Sequence, residues 1–328
     1  MHTKSLILSI TIGFGLLLGV VAGIGIWASQ QLQPVDVAQI ETELFIIPKG
    51  ATITSTAALL AKKELIRNGL VFRLYARRVG LDRQLQAGSY ELSPAMSVQK
   101  IIDTLSQGSQ SIWVTIPEGL RTEEVAQRFA ASALPDFDPE EFITMAKPSE
   151  GRLFPDTYLV PRESDATELF ALLTRTFQDK VELKMADQLQ RNTQSLNEIV
   201  TLASLVQRES SSPNDMRMVA GVISNRLEQG MKLDIDASLS YLRGFDTDTQ
   251  SWWSAPSPSL KTVDSPFNTY LYAGLPPSPI ANPGVQAIEA ALDPAPTSAL
   301  FYLHAPSGQA YFAQTYEEHQ ANIERYLR

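Results

Sequence analysis

SLNEIVTLASLVQRE, residues 195–209, is the stretch on which the reading of this chain turns. Ser195 and Glu198 have the Ser-x-x-Glu spacing of a capping box, so a helix starts there. Leu196, Ile199, Val200, Ala203 and Val206 recur at intervals of three and four, which turns one stripe of that helix toward a core. Glu209 comes three residues after Val206 and seven after Leu202, so it continues the apolar stripe at the helix's C-terminal end. An apolar flank disfavours the charged form of a carboxyl, and so does the negative end of the helix dipole. A carboxylic acid held protonated near neutral pH is what glycosidic cleavage requires of its proton donor. On the residues alone, a Glu simply paired with Arg208 or Arg217 stays open beside that reading.

Downstream, Met216 to Glu228 reads as a further helix, followed over 244–284 by a long irregular, proline-rich stretch containing Trp252 and Trp253. Such a stretch inside a folded domain usually lines a site. Val285 to Leu292 reads as a helix, 300–304 and 310–313 as a hairpin around Pro-Ser-Gly, and Tyr316 to Leu327 as a closing helix. Upstream, Glu150 to Tyr158 is turn-rich, and Thr167 to Leu189 has the pattern of one long amphipathic helix. Nearer the start, Leu44–Ile47, Thr52–Lys63, Leu70–Arg78 and Ala87–Leu92 read as strand, helix, helix, strand, with a helix from Ser97 to Leu105 beyond them. Phe45-Ile-Ile-Pro-Lys-Gly-Ala-Thr is echoed by Val114-Thr-Ile-Pro-Glu-Gly-Leu-Arg-Thr, which suits a small α/β module of the sugar-binding LysM type or a common strand-to-helix junction.

The first residues set the compartment. Ser5 to Ser29 carries no charge and, as a helix, spans roughly 36 Å, enough for a hydrocarbon core of about 30 Å. Lys4 precedes it and an acidic segment follows, so the positive-inside rule places the N-terminus in the cytoplasm and the rest outside. A cleaved signal peptide is the rival, but the apolar run exceeds the usual h-region. Residues 30–42 then form a tether. The chain has 328 residues, room for about two globular units. Its 27 Lys and Arg against 36 Asp and Glu argue against nucleic acid as a partner. With no Cys and only three His, thiol chemistry, disulfides and Cys- or His-rich metal sites drop out, and the reading includes no metal and no cofactor.

Several blocks stand in order along most of the soluble chain. They are Pro48-x-Gly50 with Ala87-Gly88-x-Tyr90, Glu118-Gly119, and Glu150-Gly-x-x-Phe-Pro-Asp-Thr-Tyr158. Leu202-Ala-Ser-Leu-Val-Gln-Arg-Glu209 and Val219-Ala-Gly-Val-Ile-Ser-Asn-Arg-Leu227 follow, then Gly230-Met231-x-Leu233-x-x-Asp236 with Tyr241. Ser265-Pro-Phe-Asn-Thr-Tyr270, Gly274 to Gly284, Tyr311-Phe312 and Glu318-His319 complete the set. Taken together, these blocks resemble the endolytic murein transglycosylase (YceG-like) family. The resemblance implies that Glu209 is the catalytic acid, because the first acid of the family's E-x-E run is Gln207 here. The family's D-P-T becomes Asp236-Ala237-Ser238, which keeps the hydroxyl and loses the proline. The implied reaction is lytic: nascent glycan is cut between N-acetylmuramic acid and N-acetylglucosamine, leaving a 1,6-anhydro-muramyl end and stopping elongation. Asn225, Asp236, Tyr241, Asn268 and Asn282, the polar members of the blocks, are nominated for substrate contact or loop rigidity. Tyr158, Tyr270, Trp252 and Trp253 are aromatic faces on which sugar could stack, or core and loop anchors.

The expectation is therefore an α+β protein: a cytoplasmic arm and transmembrane helix (1–29), the tether (30–42), a small LysM-like α/β module (43–112) and a larger α+β catalytic domain (113–328). Peptidoglycan strands, the membrane and glycan-polymerising synthases are the expected partners, with a bacterial plasma-membrane location and the catalytic domain outside. Three other readings compete. Ser97-x-x-Lys100, Ser195-x-Asn197 and Lys261-Thr-Val263 approach the penicillin-binding motif set, but the last lacks its glycine. A non-catalytic peptidoglycan scaffold and a hydrolase pairing Glu209 with Asp236 or Asp215 are the others.

Overall fold

The computed structural model describes residues 19–132, 134–210 and 212–327. Of the apolar stretch 5–29, residues 5–18 lie outside the described residues. Residues 19–31 are helical (α1), and among the described residues no helix is long and apolar enough to cross a membrane. The chain divides into two units. The first runs to Trp113 and takes in Leu159–Arg162; the second comprises Val114–Tyr158 and everything from Glu163 onward.

In the first unit, β1 (Glu43–Ile47) leads into α2 (Ile53–Lys62), whose Thr52 and Ser55 form a reciprocal cap. Next comes α3 (Gly69–Arg78), capped by Asn68, and then β2 (Gly88–Leu92). The strands pair antiparallel with Phe45 opposite Tyr90, and both rings are buried among Leu60, Phe72, Leu92 and Ile101. Gly88 has φ +147°, and a Cβ there would stand 2.1 Å from the Ser111 carbonyl, so only glycine fits the motif position. α4 (Val98–Gln107) starts where Ser97 accepts from the Lys100 N–H.

The echo of strand, Pro-x-Gly turn and helix is realised. β3 (Ser111–Thr115) is followed by α5 (Thr122–Ala130), α6 (Pro139–Ala146) and β4 (Thr157–Pro161). Ile116 N–H donates to Asp156 and Arg162 N–H to Gln110, so β3 and β4 are antiparallel and the strand–helix–helix–strand order occurs twice. Phe129, Phe137 and Phe142 pack under α5 and α6 at ring separations of 5.6–5.9 Å.

The single helix expected over 167–189 is three pieces: α7 (Ala166–Phe177), a wide π-helical segment (Gln178–Leu183) and α8 (Ala186–Arg191). Leu173, Phe177, Val181 and Met185 are all buried and stand four apart. A regular α-helix turns about 40° too far over each such interval. Widening the turn keeps all four on the core side.

At the centre of the second unit is α9 (Leu196–Glu209), with the Ser195/Glu198 box closed in both directions and every residue from Ile199 to Val206 buried. Burying each large aliphatic side chain there stabilises the fold by about 1.5–3 kcal/mol. α10 (Pro213–Glu228) packs on α9 through Val219 and Ile223. After α11 (Asp236–Arg243) and the irregular proline-rich stretch comes α12 (Val285–Leu292), the third helix of this core. The hairpin β5 (Phe301–His304) and β6 (Ala310–Ala313), with Tyr302 opposite Phe312, and α13 (Tyr316–Tyr326) complete the chain.

Candidate active site

Glu209 is the last residue of α9, and Ser210 leaves the helix in an extended conformation. The side chain lines a cavity of about 360 Å³ together with Asp236, Tyr270, Tyr302, Arg226 and His319, among others. That volume is at the low end of the range for ligand sites. Glu209 is half-buried, packed by protein yet reached by solvent from the cavity. Its carboxyl is pushed up from 4.5 to about 7, first because burial penalises its charge. A hydrogen bond from the Tyr302 hydroxyl to Oε2 (3.0 Å) opposes that shift, the negative charge of Asp236 adds to it, and the Arg208 charge moderates it. Among the described residues neither neighbouring arginine pairs with Glu209. Arg217 holds Asp293 at 2.6 Å, while Arg208 donates to the Gly119 carbonyl and lies 3.8 Å over the Trp253 ring.

The walls of the cavity are held by side-chain hydrogen bonds, to one another and to backbone carbonyls. Asp236 opens α11 and accepts from the Tyr270 hydroxyl at 2.7 Å. Tyr270 is set in turn by Asn268, whose Oδ1 accepts the Tyr270 N–H and whose Nδ2 donates to the carbonyls of Leu260, Lys261 and Val263. The Ser238 hydroxyl is engaged with the Ile235 carbonyl and with the Thr269 hydroxyl. Arg226 donates to the carbonyls of Leu300, Lys232 and Leu233, which ties α10 to β5 and to the loop before α11. His319 is held below its ordinary pKa by burial and by the Arg226 charge.

Of the five polar residues nominated beside Glu209, only Asp236 reaches this cavity. Asn225 donates to the Thr297 and Ala299 carbonyls, and Asn268 and Asn282 are fully buried with their amides engaged by backbone. Tyr241 is buried too; its hydroxyl donates to Glu150 at 2.5 Å and its ring packs on Phe267. Tyr270 lines the cavity, whereas Tyr158 is buried with its hydroxyl on the Phe154 carbonyl, and neither Trp252 nor Trp253 is among the lining residues. Gln207 accepts the Gly284 N–H through its amide oxygen at 2.9 Å, a task that needs an acceptor and no charge. Tyr302, Tyr316, His304 and Asp234 line the site as well, beyond the residues that the sequence nominates. The one local signal for Tyr302 was a polar-tipped aromatic inside a strand otherwise destined for a core.

The penicillin-binding reading loses its serines. The Ser97 and Ser195 hydroxyls are committed as helix caps, the latter also donating to Glu198 at 2.8 Å.

The model of the YceG-like family matches residues 45–325. An endolytic murein transglycosylase of Bacillus subtilis is 28% identical over 94% of this chain and 91% of its own length. A protein of the same name from Streptococcus pneumoniae is 27% identical over 90% of this chain, which spans 60% of that longer relative. A crystal structure of a YceG-like protein from Listeria monocytogenes is 29% identical and superposes with a TM-score of 0.56, covering 86% of this chain and 99% of the other.

Proposed function

The chain belongs to the YceG-like family, and from that premise we propose that it is an endolytic murein transglycosylase, a lyase that cuts peptidoglycan strands internally. The observation that carries the proposal is the Glu209 carboxyl, poised near neutrality at a cavity wall. Such a group is present in both protonated and ionised forms near pH 7, so it can both give and take a proton there.

Glu209 donates its proton to the glycosidic oxygen between N-acetylmuramic acid and N-acetylglucosamine as the bond to C1 breaks. The charge that develops on the muramyl ring faces the carboxylate of Asp236, kept in place by Tyr270. Glu209, now ionised, takes the proton of the muramyl C6 hydroxyl while that oxygen closes on C1. The product is a 1,6-anhydro ring and water is not consumed, so no second carboxyl is needed to activate it.

Location and partners extend the proposal. The uncharged stretch 5–29 crosses the plasma membrane once, with residues beyond about 30 outside, and the first strand–helix–helix–strand unit is a LysM-like module that holds glycan. Glycan-polymerising synthases are the partners whose product the enzyme meets. Digestion of nascent, uncrosslinked strands tests the endolytic element: the mean strand length should collapse early while free disaccharide stays scarce. Early release of disaccharide from strand ends would reject it.

The two groups around Glu209 have opposite leverage on its acidity. Tyr302→Phe removes a bond that favours the charged form, so the alkaline limb of the rate profile moves to higher pH. Turnover should fall about tenfold, the worth of one hydrogen bond to a charged group. Asp236→Asn removes a repelling charge and moves the same limb to lower pH. Profiles of cleavage rate against pH for both variants check the signs.

A further inference from the structure

Residues 43–112 differ in charge from the rest of the chain. Residues 43–112 carry nine Lys or Arg and five Asp or Glu, within a chain whose totals are 27 and 36. Five of those nine cations, Arg67, Arg73, Arg77, Arg78 and Arg83, fall in or beside α3. The helix buries Val71, Phe72 and Ala76 and turns the opposite way with Leu70 and Leu74, which are 52% and 60% exposed. At 100° per residue, Leu70, Leu74, Arg77 and Arg78 lie within about 100° of one another on that outer face. A solvated helix face has no use for two leucines in register, and a protein-covered one has no use for arginines at their side. Exposed Ile24 and Trp27 of α1 adjoin the face, and an apolar groove of about 430 Å³ runs between α1 and α3, walled by these residues, Leu70, Leu74, Tyr75 and Arg78. The uncharged residues 5–18 lead straight into α1.

We propose that the outer face of α3, with the end of α1, rests on the membrane surface. Leu70, Leu74, Ile24 and Trp27 enter the acyl boundary, and Arg77 and Arg78 contact anionic phospholipid headgroups. The pattern is that of an interfacial amphipathic helix, apolar side chains inward and arginine at the phosphate level. It rests on the reading that residues 5–29 cross the membrane, and it adds an orientation: the first unit is docked on the bilayer rather than swinging on a tether. The net positive charge of that unit and the acidity of the remainder follow from the same arrangement, because only the docked part faces lipid phosphate.

Because the protein has no cysteine, single probes report cleanly. The full chain is reconstituted into vesicles of phosphatidylcholine alone or mixed equally with phosphatidylglycerol. A polarity-sensitive fluorophore is placed by Leu70→Cys, Leu74→Cys, Ile12→Cys or Leu183→Cys; Leu183 is 64% exposed in the second unit. In the anionic vesicles the probes at 70 and 74 should shift to the blue and be quenched several-fold more by a lipid-borne quencher than by an aqueous one, while 183 stays in water. The shift should vanish in phosphatidylcholine alone, at about 1 M salt, where the Debye length is about 3 Å, and in the Arg73→Gln/Arg77→Gln/Arg78→Gln variant. Probes at 70 and 74 as wet as 183, with 12 in lipid, overturn the docking and leave the anchor standing. A wet probe at 12 rejects the anchor, and the state of 70 and 74 then decides docking by itself. Shielding that appears only on adding anionic glycan overturns the proposal in favour of a polymer-binding face.

Discussion

Glu209→Gln should lower strand cleavage by about a thousandfold, within the range that a positioned acid–base group contributes. The amide keeps the shape and an acceptor for the Tyr302 hydroxyl, so the lost quantity is the proton. The same substitution should make the protein more stable in alkali. The folded-state pKa is about 7 against an ordinary value of 4.5, so between these values the native chain binds more proton than the unfolded one. Stability from this group is therefore fully present below about pH 4.5 and is lost as pH rises through 7, by up to about 3 kcal/mol. Urea unfolding at pH 8 should show the Gln variant the more stable by an amount of that order, and at pH 4 the gap should close. An inactive variant with an unchanged pH dependence of stability would mean that Glu209 is not the strained acid described above.

Asn282→Ala should cost about 3 kcal/mol or more of stability, the second large effect. Its Oδ1 accepts the N–H groups of Gly151 and Leu153 and its Nδ2 donates to the Leu120 carbonyl, each at 2.9 Å, with the side chain fully buried. Truncation strands the Gly151 and Leu153 N–H groups in the interior, while the Leu120 carbonyl keeps the backbone N–H of residue 282. Gly151 itself is closely packed, with φ +91° and Pro279 only 2.5 Å from where a Cβ would stand. Thermal melting should fall sharply while the KM of the remaining folded enzyme is unchanged. A raised KM with an unchanged melting temperature would instead put Asn282 against substrate.

The contrast between these two residues marks how far the sequence could be read. Glu209 was legible because its message is local: a capping box fourteen residues upstream fixes the helix, and apolar spacing fixes the face. The hairpin and the first strand–helix–helix–strand unit were legible for the same reason. Asn225, Asn268 and Asn282 are in matching motifs, but an asparagine that clamps a backbone and one that holds a sugar look alike in sequence, and all three clamp backbone. Tyr302 went unmarked because its partner is 93 residues away and only the folded chain brings the two side chains together. The break after Phe177 was hidden because apolar residues four apart fit both an α-helix and the wide turn that the core selects.

The central claim is that one carboxyl both delivers and recovers the proton, with the sugar's own hydroxyl as nucleophile. Digestion of nascent glycan in ¹⁸O-labelled water, with mass analysis of the new muramyl ends, tests it most directly. The account predicts anhydro ends, free of label and lighter by one water than a reducing end, from the wild type and from residual Asp236→Asn activity alike. Reducing ends that carry the label would mean that water is the nucleophile, and would contradict it.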